Sequence, residues 1–275
     1  MNAKVKALLI KTRRRLFGQN VGNNISAFKG NGIDFAELKE YSYGDDVRKI
    51  NWKVTAREQK PYINVFNEER ELNIVIAFVL SGSIYFGSVR QKQEVMAEVL
   101  GLLAFSAVKN SDRVSTLFFD EAVERFFKPT KSPKTLSAAV EHAMNVEVLG
   151  KKADMQALAS YLLNSVKNRS IVLLVGDFYD MPDLSYLGAK HETYAVIVRD
   201  PFEEAPQLYG EYDLLDPVTQ RHTVMQIDTA LIKEYRARLK AHDEALFEHF
   251  REHRIAYTKI YTDEDPFIKL REMLK

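Results

Sequence analysis

From residue 71 onward, short runs of β-branched and aromatic residues alternate with longer stretches whose apolar positions recur every three or four residues. That alternation is the signature of strands joined by helical crossovers, and so of a largely parallel α/β sheet. The runs predict strands over 73–80, 114–119, 124–127, 171–175, 194–198 and 257–261. The stretches between them predict helices over 91–108, 133–145, 154–167, 182–187 and 229–253, with a last one from 266. Asp120 and Glu121 separate two strand-like runs and predict a hairpin over 114–127. Asp216, Pro217 and Gln220 supply turn chemistry for a second, over 212–227.

Residues 30–70 read differently. They are polar, rich in both signs of charge and punctuated by Gly30, Gly32 and Gly44, with one strand over 62–66 and a short helix over 48–56. That helix carries Trp52, the only tryptophan, which is expected to be a buried anchor pinning the segment to the sheet. Ahead of it, residues 4–16 put Val5, Leu8, Leu9, Thr12 and Leu16 on one stripe of a helix. Lys4, Lys6, Lys11, Arg13, Arg14 and Arg15 flank the stripe, and no acid precedes Asp34. Such a helix either packs on its own domain or docks on an anionic membrane or acidic partner. The division expected is 1–70, a basic helix and polar segment, and 71–275, the sheet domain.

Charge narrows the function classes. Across 275 residues, 39 Lys and Arg stand against 38 Asp and Glu, a net charge of +1, so no nucleic-acid partner held by overall charge is expected. The absence of cysteine removes disulfides, thiolate nucleophiles and cysteine-held metals. No apolar run approaches the ~18 residues of a membrane span.

The run Gly32-Ile33-Asp34-Phe35-Ala36-Glu37-Leu38 leads into Glu40-Tyr41 and then Gly44-Asp45-Asp46-Val47-Arg48-Lys49-Ile50-Asn51-Trp52-Lys53. With Ala56-Arg57, Asn64, Phe66 and Glu69, it resembles the bacterial domain of unknown function family number 58. The likeness continues through Ser81-Gly82-Ser83, Phe86-Gly87, Gly176-Asp177-Phe178, Asp200-Pro201-Phe202-Glu203 and 213–216, where the family resembles von Willebrand factor A domains. The resemblance implies a doubly wound, mostly parallel, A-domain-like sheet behind an N-terminal signature segment. It also implies a MoxR-type AAA+ ATPase as partner. Many relatives carry membrane helices before the signature; none stands before it here, so a short soluble member is expected, cytoplasmic or peripheral at the inner face of the bacterial membrane.

An A-domain metal site, as the resemblance implies it, takes an Asp-x-Ser-x-Ser loop, a later threonine and a further aspartate. Here Val79 stands at the first acid, Ser81 and Ser83 at the serines, Ala153 at the threonine and Asp177 at the last acid. One carboxylate and two hydroxyls are a poor replacement for the hydration shell of Mg²⁺, so the site is expected to be degenerate and the chain to need no cofactor. Ser81 and Ser83 lack a Gly-x-Ser-x-Gly elbow and are expected to cap a helix rather than act as nucleophiles. His249, Glu252 and His253 spell His-x-x-Glu-His, but no histidine follows them, and an ordinary amphipathic helix is expected. Asp34, Glu37, Asp45, Asp46, Arg48, Lys53 and Arg57 form the densest mixed-charge group, with Asp45, Asp46, Arg48 and Arg57 the candidates for partner contact. No Walker-type Gly-Lys-Ser/Thr run is present. The reading is a non-enzymatic interaction module, with no catalytic residue, that partners a MoxR-type ATPase. The alternative is a magnesium-dependent ligand-binding A-domain whose metal is completed by a partner's acid.

Overall fold

The runs 74–79, 114–119 and 171–176 are buried at every position, so each strand needs cover on both faces. The computed structural model, which describes residues 3–17, 34–67 and 72–274, shows how that cover is arranged. The chain begins with α1 (Ala3–Phe17), β1 (Asp34–Glu40), α2 (Trp52–Glu58) and β2 (Tyr62–Asn67). Then come β3 (Asn73–Val79), α3 (Lys92–Lys109), β4 (Arg113–Phe119), β5 (Val123–Thr130), α4 (Pro133–Asn145) and α5 (Met155–Ser165). β6 (Ile171–Gly176), α6 (Ser185–Lys190), β7 (Glu192–Arg199) and α7 (Pro201–Glu204) follow. The last elements are β8 (Gly210–Leu215), β9 (His222–Ile227), α8 (Thr229–Glu252), β10 (Ala256–Tyr261) and α9 (Pro266–Met273).

The chain divides into two units. One holds α1 and everything from Asn73 onward; the other holds β1, α2 and β2. In the larger unit six strands lie in the order β5, β4, β3, β6, β7, β10, parallel except for β5, which runs antiparallel to β4 at one edge. Numbered along the chain this is 3-2-1-4-5-6, the doubly wound arrangement that the von Willebrand factor A resemblance implies. On one face, Val75, Ala77, Val79, Leu117, Val172, Leu174 and Ile197 pack against α5, α6 and α8. The other face is covered by α3, flanked by α4 and α9.

α3 is buried over nearly its whole circumference, from Lys92 to Ala107, as a helix must be when its apolar residues run all round it. Its outer side is closed by α1, whose Val5, Leu9, Thr12 and Leu16 are buried, the same stripe that the sequence marks. The basic residues of α1 point to the same dock. Lys4 pairs with Glu94 at 2.9 Å, Lys11 with Glu98 at 2.6 Å, and Arg15 with Asp265. α1 therefore groups with the sheet unit rather than with the segment that follows it, which departs from the 1–70 and 71–275 division expected. The apolar stripe that a bilayer would need is spent on α3.

The smaller unit is an antiparallel pair, β1 with β2, and the short α2, capped by Asn51, whose side chain accepts from Val54 N at 3.2 Å. β1 has no counterpart among the expected strands, because Asp34, Glu37, Lys39 and Glu40 hide its two-residue period. Trp52 is 70% exposed, which overturns the buried anchor expected. It stands at the first position of a seven-residue helix that buries none of its side chains, so its place in the chain offers it no core to enter. Gly30, Gly32, Glu69 and Arg70 of the signature lie outside the described residues.

The β8–β9 hairpin forms as expected and its tip is pinned. Asp216 accepts from Val218 N at 2.9 Å, and Gly150 N donates to Pro217 O at 2.9 Å. A Cβ on Gly82 would lie 2.0 Å from Pro217 O, so only glycine lets the tip come this close to the loop after β3.

Candidate functional site

The strand order reverses between β3 and β6, and open α/β sheets gather ligands outside the carboxyl ends of strands at such a point. The loops after β3, β6 and β7 meet there. Ser81 caps a single turn of 3₁₀ helix, its Oγ accepting from Ser83 N. Ser83 Oγ donates to Asp177 Oδ2 at 2.5 Å and lies 2.9 Å from Ser81 Oγ. The structure thus brings together Ser81, Ser83 and Asp177. Val79 faces the sheet core and Ala153 packs against that same core, so the two other ligand positions offer carbon.

A fourth side chain completes the cluster. Lys92, the first residue of α3, is fully buried, with Nζ 3.0 Å from Asp177 Oδ2 and 2.6 Å from Glu203 Oε1. Its Nζ also lies 4.9 Å from the centroid of the Tyr179 ring. Glu203 is held in turn: its Oε2 accepts from Asp200 N at 2.9 Å in a capping box that starts α7. On the same Tyr179 ring the buried Arg199 guanidinium lies 3.8 Å from the centroid and donates to Phe178 O and Asp243, each at 3.2 Å. Burial pushes the Tyr179 phenol well above its ordinary value.

These groups do not fit the divalent ion of an A-domain. Asp177, the one carboxylate at a matching position, is already neutralised by an ammonium, and a cation brought up to it would meet Lys92. The remaining ligand positions supply no charge. Among the described residues no three His, Asp or Glu side chains converge as a metal-binding group. Nor does Ser83 resemble a nucleophile: its acceptor is a carboxylate tied to Lys92, a poor base.

Beside the cluster opens a cleft of about 860 Å³. Ser83 and Glu203 lie at its floor, and Phe86, Leu215, Met225 and Tyr235 are among the apolar side chains of its walls. The β8–β9 hairpin and the start of α8 supply the far side. Tyr85, Leu215, Met225 and Tyr235 remain exposed at its mouth.

In the smaller unit Asp45, Asp46 and Arg48 stand together. Asp45 accepts from Ser42 N at 2.9 Å, and Asp46 accepts from Arg48 N, Nε and Nη2 at 3.0, 3.0 and 2.9 Å. The Arg48 guanidinium beside Asp46 holds its carboxyl down at about 2. Arg57 is not part of that group and pairs with Glu58 at 2.9 Å. Tyr43, Val47 and Trp52 are exposed along the same stretch.

His249 is an edge histidine of α8, as expected: its Nε2 accepts from Leu184 N at 3.0 Å, and the His253 ring lies 4.5 Å away. Sequence reasoning missed Lys92 and the pairing of Glu203. The one signal was the run of apolar residues that follows Lys92 in the helix, and it does not by itself say whether a lysine at the helix head is buried; once buried, it must find a carboxylate.

No helix of the described residues is long and apolar enough to cross a membrane. A family described as protein of unknown function DUF58 matches residues 37–245. The chain is 24% identical over 253 residues to uncharacterized proteins of Mycobacterium bovis and Mycobacterium tuberculosis, covering 87% of this chain and 78% of theirs. It is similar to the conserved hypothetical protein BatB from Bacteroides thetaiotaomicron, with TM-score 0.47 and 10% identity over 74% of this chain and 97% of that one. It is also similar to an aerotolerance-related membrane protein from Bacteroides fragilis, with TM-score 0.43 and 12% identity over 74% of this chain and 96% of that one.

Proposed function

The chain belongs to the DUF58 family, and on that premise we propose that it is a non-enzymatic protein-interaction module that docks a MoxR-type AAA+ ATPase. The observation that carries this reading is the apolar cleft at the carboxyl end of the sheet. Concave apolar surface of this size, rimmed by a few polar groups, is what binding sites are made of. The chemistry beside it supports recognition over reaction, since no activated nucleophile and no poised general base stands at its floor. The exposed Tyr43, Trp52 and Arg48 of the signature segment are of the residue types that dominate interface energetics, and they supply a second contact. Partnership with an ATPase puts the chain where ATP is, in the cytoplasm or at the inner face of the bacterial membrane.

The test is a titration of the purified ATPase onto the full chain. Met225→Glu and Leu215→Glu, both at exposed hairpin positions, are expected to weaken binding by about tenfold or more while leaving the melting temperature in place. Arg48→Glu, also exposed, is expected to weaken binding with little change in melting temperature. Unchanged affinity in all three variants removes the docking reading.

A further inference from the structure

We propose that the ammonium of Lys92 is a tethered cation that fills, permanently and from within the chain, the place a divalent ion would occupy between Ser83, Asp177 and Glu203. Three observations point the same way. The ammonium is fully buried and lies 3.0 and 2.6 Å from two carboxylates that come from different loops, after β6 and after β7. The hydroxyl of Ser83 donates to the very oxygen of Asp177 that Lys92 binds, so the polar atoms converge on one point instead of turning outward to water. And the positions that would bring a further carboxylate and a further hydroxyl to a metal, Val79 and Ala153, pack in or against the core.

The chemistry of this exchange is balanced. A divalent ion held by two carboxylates and hydroxyls keeps most of its waters and is lost to chelators or competing ions. One ammonium offers three donors and a single charge, and here it is anchored by its own four-carbon stem in the apolar body of α3, so its binding has no translational cost. Two carboxylates against one ammonium leave one negative charge, which is met by the hydrogen bonds that Asp200 N donates to Glu203 and Ser83 Oγ donates to Asp177. The loops after β3, β6 and β7 are thereby drawn together without any ion from solution. This inference concerns the cluster alone and stands whether or not the neighbouring cleft docks a partner.

Removal of the tether should open the place to a real metal. Mn²⁺ is titrated into the full chain and into Lys92→Ala, with bound metal read from the loss of the free Mn²⁺ electron-resonance signal and from the melting temperature. The Lys92→Ala chain is expected to take up one Mn²⁺ at least about tenfold more tightly than the natural chain, through Asp177 and Glu203, and to melt higher when Mn²⁺ is present. Adding Asp177→Ala to it should abolish both gains. Lys92→Met, which keeps the buried stem, is carried in parallel so that loss of packing in the alanine variant does not decide the outcome. If Mn²⁺ neither binds more tightly nor stabilises either variant, the proposal is overturned. It is equally overturned if the natural chain already binds Mn²⁺ as tightly as the variants do.

Discussion

Lys92 and His249 show how much a single side chain's partners matter. Ser81, Ser83 and Asp177 could be picked out from the sequence because the resemblance marks their loops, and Val79 and Ala153 because they break its pattern. Lys92 could not, since a lysine at the start of a helix reads as solvated until Asp177 and Glu203, which lie 85 and 111 residues away along the chain, are brought to it. His249 is a second case, with a consequence for pH. Burial holds its imidazole below the ordinary value, with the neighbouring His253 adding to the effect, while Asp183 and Glu252 pull the other way. Burial does the same to His191. A base whose folded pKa lies below its unfolded pKa binds fewer protons when folded. These two histidines therefore contribute stability that is fully present above about pH 6.5 and is lost as pH falls below it. The melting temperature is expected to drop between pH 7.5 and 5.5, and to drop less in His249→Gln, which can still accept from Leu184 N but cannot become charged. A melting temperature that is flat over this range, or falls equally in both proteins, would refute the assignment.

At the scale of elements, α3 and α1 are a matched pair. The periodicity that marks Val5, Leu9, Thr12 and Leu16 in the sequence is legible because it stays fixed whatever the helix meets; what it meets is not, and the structure supplies α3. Full burial of one aliphatic side chain contributes roughly 1.5–3 kcal/mol, so Val5, Leu9 and Leu16 together are worth about 5 kcal/mol or more before the exposed flank of α3 is counted. Domains of this kind have only about 5–15 kcal/mol in total. A chain begun at residue 18 is therefore expected to lose most of its resistance to urea and to expose apolar surface to a fluorescent dye. Retention of the full-length urea midpoint would show that α1 is an accessory. Most of its lysines and arginines are committed as well: Lys4, Lys11 and Arg15 are in ion pairs, and Arg13 donates to Ser137 and lies over the Phe105 ring, which leaves Lys6 and Arg14 exposed for any anionic surface.

For the molecule as a whole, the alternation of strand and helix patterns made the sheet readable in outline, with boundaries shifted by a few residues at α6, where the expected helix over 182–187 stands at 185–190. Strand order was not readable from pattern alone; the family resemblance implied a doubly wound, mostly parallel sheet, and the order itself comes from the structure. The smaller unit was the least legible part, because charged residues interrupt the apolar period of its first strand. Among residues 38–64, whose burial is described, only Ile63 is buried. Amide exchange is therefore expected to divide the chain: β3, β6 and β7 protected to the level of global unfolding, β1 and β2 exchanging through local opening at least about a hundredfold faster. Equal protection in the two units would contradict that division.

The antiparallel strand β5 has a further consequence for life at high concentration. It closes one margin of the sheet with the exposed Glu124, Arg125, Lys128 and Pro129, and its register against β4 is broken twice, between Val114 and Thr116 and between Phe118 and Phe119. A neighbouring polypeptide that tried to add itself as a seventh strand would meet a missing donor at the proline, charged side chains to bury and a ladder that falls out of step. The same residues that look like ordinary surface thus guard this edge of the sheet against pairing with another chain. Replacing Lys128 and Pro129 with valine would remove that guard while leaving the interior of the sheet as it is.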